Sequence, residues 1–360
     1  MRIVPNKPGW IVYRFEDFVE NVHEQAMPTK EDSKKYIGLK HLDSGSLHVR
    51  RWGTEIQLKG TKFRMKKGDL LFARRNAYLR RVAIAPHDGL FSAHGMIFHS
   101  KNDVISPDFL PFFLSSDVFM DRAIKISVGS LSPTINWGTL RHEEFSLPPL
   151  NEQKRLANLL WSVDETIEDY IDLVNKINTI YLLQLKEIRG HKKCRKRIGD
   201  IANLNYGEGL KKNNRCNGAY PVIGSSGIVG KHSKFLVEGP GIIIGRKGSA
   251  GEIIWIKNNF WPIDTTFWVE LKNNTVMLEY LFYALKSINL SSLKINTAIP
   301  GINRNDVLSK KIYIPEYSIQ LKIVKKFEEV WTTLASLNAQ IAFTRNIQKQ
   351  IINQIFGGQS

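Results

Sequence analysis

Two adjacent cations, Arg246 and Lys247, sit with Ser249 in the stretch IIIGRKGSAG, residues 242–251. A glycine-punctuated turn of this kind can hold a nucleotide, cradle a dinucleotide, or meet a nucleic-acid backbone or base edge. A nucleotide phosphate loop ends in Gly-Lys-Ser/Thr and opens a helix. Here the chain continues into EIIWI, a β-rich run, and Gly245, Gly248 and Gly251 stand three apart, which is not the G-x-G-x-x-G dinucleotide spacing. An earlier stretch, LLFARRNAYLRRVAI (70–84), aligns with IIIGRKGSAGEIIWI (242–256). Arg74 then meets Arg246 and Arg75 meets Lys247, while all three glycines are gone. Losing the glycines would end a phosphate cradle. Paired cations at the tip of a strand–turn–strand serve nucleic acid in either version. A solvated hairpin turn is the plain alternative.

Short polar side chains follow each cationic turn: Ser92 and His94 in SAHGMIF (92–98), and Asp264, Thr265 and Thr266 in PIDTTFWVEL (262–271). Such groups read base edges or cap the turn of the strand they precede. Reaction chemistry is scarce. Asp264, Glu270 and Lys272 loosely resemble a metal-dependent nuclease site, which needs acidic ligands and a lysine, but the first copy has neither acid nor lysine there. Cys194 and Cys216 make no metal-ligand spacing, and the nine histidines form no HxxxH or His/Cys cluster. No catalytic and no metal-binding residue is assigned.

The elements that must position the turns are duplicated. SPTINWGTLRHEEFSLPPLNEQ (132–153) aligns without a gap on IPGINRNDVLSKKIYIPEYSIQ (299–320). Pro133 matches Pro300, Ile135–Asn136 match Ile302–Asn303, Pro148 matches Pro315 and Gln153 matches Gln320, all at an offset of 167. Beyond them Leu156, Leu160, Val163, Ile167, Tyr170 and Val174 step by 4 and 3, as do their partners Ile323, Phe327, Val330, Leu334, Leu337 and Ile341. That is a heptad seam on a helix. With Asn151 and Ser318 as N-caps, each helix starts near 152 or 319 and spans about 55 Å. Two matching seams predict an antiparallel pair acting as a rigid spacer. RFEDF (14–18) also resembles RIGDI (197–201), and the runs LLFA, MIF, GIIIG and TFWVEL read as strands. Short helices are predicted at 107–123 and 276–288. The predicted fold is α/β (α+β), with an internal pseudo-twofold repeat: globular regions at 1–148 and 191–317, and spacer helices at 149–190 and 318–360.

A net charge of +17 and a pI near 9.7 favour a polyanionic partner. The surplus is +6 in residues 1–148 and +10 in 191–317, against −2 and +3 for the two helical segments. With no apolar run long enough to span a bilayer and no signal-peptide pattern, nucleic acid is the expected partner, membrane is not, and the cytoplasm is the expected location.

The order SPTINW…LPPLNEQKRLANLLWSVDETIE, then YPVIGSSGIVGKH…GPGIIIGRKGSAGEIIW…FWPIDTTFWVE, closely resembles specificity subunits of type I restriction–modification systems. YIGLKHLDSGSL…KKGDLLFARRNAYLRRVAI resembles a target-recognition domain of the same family. The resemblance implies two target-recognition domains that each read half of a bipartite DNA sequence, set apart by two antiparallel helices. It implies a chain that binds double-stranded DNA, catalyses nothing and carries no cofactor. Two methyltransferase subunits would bind S-adenosylmethionine, and restriction/motor subunits would use ATP and Mg²⁺. The candidate DNA-facing set is Arg74, Arg75, Tyr78, Arg80, Arg81, Ser92 and His94 in the first copy. In the second it is Ser225, Ser226, Lys231, Arg246, Lys247, Ser249, Asp264, Thr265 and Thr266. Because the copies diverge, the target should be asymmetric. The second copy departs from the family pattern at IPEYSIQ, and Thr344 and Gln348 break its seam where the first has Ile177 and Tyr181. A stand-alone DNA-binding regulator with duplicated domains is the rival reading.

Overall fold

A computed structural model describes residues 7–54, 56–101, 103–294 and 300–357. The chain divides into two units, one formed by residues 1–171 with 339–360, the other by residues 172–338. Each contains one globular region and part of each long helix.

The aligned sequences fold onto one strand order. In the first unit a four-stranded antiparallel sheet runs Val19–Val22, Met96–Ser100, Leu70–Phe72, Val82–Ile84. In the second the same order recurs as Ala202–Tyr206, Thr266–Leu271, Gly241–Gly245, Ile253–Ile256. Two-stranded ribbons recur as well: Ile11–Arg14 with Glu144–Leu147, and Arg195–Arg197 with Lys311–Tyr313. A second sheet completes each region, built in the first unit from Gln25–Ala26, Lys62–Met65, Gly89–Phe91 and Tyr36–Ile37. In the second unit it is built from Gly227–His232, Tyr220–Gly224 and Trp261–Pro262.

The strands that lead into the cationic turns are apolar throughout because both of their faces are covered. Ile242 and Ile244 point into the main core of the second unit with Phe267, Tyr280 and Leu281, while Ile243 points the other way, against Ile223, Ile256 and Phe260. Leu70 and Phe72 likewise join Phe15, Phe98 and Phe119, and Leu71 joins Ile37, Phe91 and Ile97. Alternation along a pleated strand produces this division. At about 1.5–3 kcal/mol for each buried large side chain, such a strand is a stiff mount for the turn at its end. The predicted short helices form as Leu110–Ser115 with Asp117–Lys125, and as Leu278–Lys286.

The long helices are Leu150–Gly190 and Tyr317–Phe356, 41 and 40 residues, or about 60 Å each. They start earlier than the N-cap reading of Asn151 and Ser318. Gln153 N donates to Pro149 O at 3.0 Å and Gln320 N to Glu316 O at 3.1 Å, so Asn151 and Ser318 lie inside the first turn. What anchors each start is the matched glutamine. Gln153 is fully buried; its Oε1 accepts from Ser106 N (2.8 Å), and its Nε2 donates to Val104 O and Pro148 O (both 2.9 Å). Gln320 repeats the pattern with Met277 N (2.9 Å), Thr275 O (3.1 Å) and Pro315 O (2.8 Å). One side chain in each copy bolts helix to globular region.

In the seam Leu156, Leu160, Ile167, Phe327, Val330, Leu334, Leu337 and Ile341 are buried, and Val163, Tyr170, Val174 and Ile323 are half-buried. The helices meet antiparallel within each unit, with different chemistry. In the second unit Tyr181 packs edge-on against Phe327 and Trp331, with centroids 5.5 and 5.7 Å away. In the first, Gln348 Nε2 donates to Asp164 Oδ1 at 3.2 Å, and His48 Nε2 lies 2.6 Å from Asp164 Oδ2. The polar break at Gln348 thus has a buried carboxylate to meet.

Candidate nucleic-acid interface

Both cationic turns are held by equivalent backbone bonds. Ile135 N donates to Arg74 O at 2.9 Å, and Ile302 N donates to Arg246 O at 3.0 Å. Arg75 bridges Thr134, and Lys247 bridges Gly301. The matched PTIN and PGIN segments are therefore the straps that fix the cations. Their burial explains the matching: Ile135 is fully buried and Ile302 nearly so. Gly248 adopts φ +77°, and its counterpart Asn76 adopts φ +55°. Asparagine tolerates the left-handed region, so the first copy keeps a turn of this kind without the glycines.

In the second unit Arg246 N and Lys247 N donate to Thr265 O at 2.8 and 3.2 Å. Thr265 thus serves the turn through its carbonyl. Thr266 is fully buried and its hydroxyl donates to Ile263 O at 2.7 Å, the capping role rather than a surface one. Asp264, Lys247, Ser249, Ser226 and Lys231 are exposed, and Ser225 is half-buried against the turn, where a methyl on Gly248 would stand 3.4 Å from its Oγ. In the first unit burial, then the charges of Arg75, Arg74 and Lys62, holds His94 below the usual imidazole range. Arg75 and Tyr78 are exposed, and Arg74 is half-buried. Ser92 is buried and accepts from His94 N at 3.3 Å.

Two candidates are engaged inside the first unit. Arg80 is ion-paired with Asp117 and Asp121 on the helix Asp117–Lys125. Arg81 Nη1 donates to Leu39 O at 2.7 Å. By contrast, among the described residues no carboxylate lies within 4.0 Å of Arg74, Arg75, Arg246 or Lys247. Arg74 Nε and Arg246 Nε, the matched pair, are both buried with no acceptor among the described residues. A buried donor left unpaired costs about 1–3 kcal/mol, and both copies carry the same one.

Sequence reading missed Tyr206 and Arg304. Tyr206 ends its strand half exposed, and two guanidinium groups lie over its ring, Arg246 at 5.1 Å and Arg304 at 5.5 Å. The nuclease-like trio does not assemble. Glu270 accepts from Asn205 Nδ2 at 3.0 Å, Lys272 Nζ donates to Gly199 O at 2.5 Å, and among the described residues no three His, Cys, Asp or Glu side chains could share a metal ion. No described helix is long and apolar enough to cross a membrane.

The chain is similar to known proteins. The chain is 28% identical over 215 residues to a putative type I restriction enzyme MjaX specificity subunit of Methanocaldococcus jannaschii, covering 53% of this chain and 49% of that protein. It is 24% identical over 194 residues to the type I restriction enzyme EcoDI specificity subunit of Escherichia coli, covering 52% and 43%. The matches thus span about half the length of these curated relatives. Two solved structures share the fold. One is the S subunit of a type I restriction–modification system from M. genitalium (TM-score 0.61, 17% identity, 99% of this chain and 98% of that one). The other comes from work on complex assembly and conformational transition of the type I system (TM-score 0.60, 16% identity, all of both chains). A family model described as the type I restriction modification DNA specificity domain matches residues 7–179 and again 192–351. Spanning both copies and most of the chain, that match shows that this protein belongs to the type I restriction modification DNA specificity domain family.

Proposed function

We propose that this chain recognises DNA for a type I restriction–modification complex. Each globular region grips one half of an asymmetric bipartite target, and the long helices set the unread gap between the halves. The observation that carries the reading is the pair of cationic turns, Arg74–Arg75 and Arg246–Lys247, strapped the same way in both copies and free of ion pairs among the described residues. Charges left unneutralised on a rigid mount attract phosphates and base edges without ordering costs at the moment of binding. Unlike neighbours around the two turns, His94 in one and Ser225 in the other, support unlike half-sites. In this reading the chain itself catalyses nothing. Methyltransferase subunits, two per complex, bring S-adenosylmethionine; restriction/motor subunits bring ATP and Mg²⁺; the complex works in the cytoplasm.

Deleting one heptad from each helix, residues 169–175 with 336–342, leaves the contacts at Asp164, Tyr181, Phe327, Trp331 and Gln348 in place. It shortens each helix by about 10 Å, so the methylated target mapped in a host carrying the variant should keep both half-sites and lose about three base pairs of gap. Changed half-sites around an unchanged gap would refute the ruler.

A further inference from the structure

We infer that Arg246, Tyr206 and Arg304 form a phosphate clamp in the second unit that seats the DNA backbone there. The inference rests on the DNA-recognition reading above and adds a contact and a chemistry to it. Tyr206 is 50% exposed and holds Arg246 and Arg304 over its ring, at 5.1 and 5.5 Å. Two positive charges are thereby gathered around one ring, and among the described residues no carboxylate lies within 4.0 Å of either. The arrangement is fixed by the fold. Ile302 N donates to Arg246 O at 3.0 Å, and Asn303 Oδ1 accepts from Asn305 N at 2.8 Å, which sets the backbone on either side of Arg304. Tyr206 in turn packs on the buried Phe267 at 5.1 Å. A phosphodiester backbone passing the ring, with one negative charge and two unbridged oxygens per phosphate, neutralises these charges and accepts from guanidinium N–H groups.

Base reading suits these arginines less well. Arg246 is half-buried with its Nε covered and its guanidinium over Tyr206, while Lys247 and Ser249 are the exposed polar side chains of the turn. Among its described residues the first copy has nothing comparable. Trp137, the residue at the position of Arg304, packs instead against Phe15 and Phe98, at 5.8 and 6.0 Å. The clamp therefore makes the two halves of the molecule unequal in how firmly they hold the backbone.

The test uses the full chain with the subunits that co-purify with it from its host. Binding to a duplex bearing the mapped target and to one of scrambled sequence is followed between 50 and 300 mM salt. Arg304→Gln and Tyr206→Leu are both surface changes, checked for native melting, and Tyr206→Phe keeps the ring. Loss of one phosphate contact should lower the slope of log affinity against log salt by about 0.9 and weaken both duplexes alike, by roughly five- to thirtyfold at 100 mM salt. Tyr206→Phe should behave as the parent, and Arg304→Lys should regain most of the slope. If Arg304→Gln and Tyr206→Leu leave affinity and slope unchanged, or if they alter the preferred sequence at constant slope, the clamp is wrong while DNA recognition stands. If the parent binds neither duplex, or binds without salt dependence, the DNA reading itself falls.

Discussion

Replacing Gln153 by alanine removes three hydrogen bonds at once, buried ones to Ser106 N and Pro148 O and a part-buried one to Val104 O. A buried group left without its partner costs about 1–3 kcal/mol, and such costs add imperfectly within one network. Allowing for that, the variant should lose about 3–5 kcal/mol, a large share of the 5–15 kcal/mol typical of a folded domain. Gln153→Glu sharpens the test through its sign with pH. A carboxylate can still accept from Ser106 N, but its second oxygen faces two carbonyl oxygens that Nε2 now satisfies at 2.9 Å. The folded state therefore prefers the neutral acid, which raises the folded pKa above the unfolded value of about 4.3. The penalty is absent below that value and grows as pH rises through the folded pKa. Urea unfolding at several pH values reads the effect, with Trp161 as reporter; its indole donates to Asp108 O at 3.0 Å and packs 4.9 Å from Phe112 in the same unit. Gln320→Ala should act on the second unit in the same way. If Gln153→Ala unfolds within 1 kcal/mol of the parent, or Gln153→Glu matches it at every pH, the glutamine bolt is not what holds helix to globular region.

Two further outcomes follow from pairings inside the first unit. Arg80→Ala should lower the stability of that unit by about 1 kcal/mol, because the pairs with Asp117 and Asp121 are partly exposed; the salt dependence of DNA binding should not move, and a drop of about 1 in the slope would place Arg80 on a phosphate after all. The hydrogen bond to Asp164 raises the pKa of His48 above the usual 6.5, so its stabilising contribution is full below about pH 6.5 and disappears as pH rises through the folded value. Unfolding midpoints of the parent and His48→Gln should converge on alkaline titration, and an imidazole that titrates below 6.5 by NMR would contradict this.

The duplication was legible in the chain because its causes are local and repeated: a proline, a buried isoleucine and a glutamine at fixed offset, then a heptad seam on each helix. The strands before the cationic turns were legible for the same reason, since a pleat buried on both faces demands a continuous apolar run. Helix starts were misjudged by about two residues, because Asn151 and Ser318 look like caps while the bonds to Pro149 and Glu316 carry the first turn. Only the tertiary structure separated the cations. Arg80 and Arg75 look alike in ARRNAYLRR, yet one meets acids about forty residues away and the other meets none among the described residues. Tyr206 and Arg304 stand almost a hundred positions apart, and no period or motif links them. Spacing along a chain records which face a residue occupies; which distant side chain shares that face depends on how strands and loops pack, and that is set by the fold as a whole.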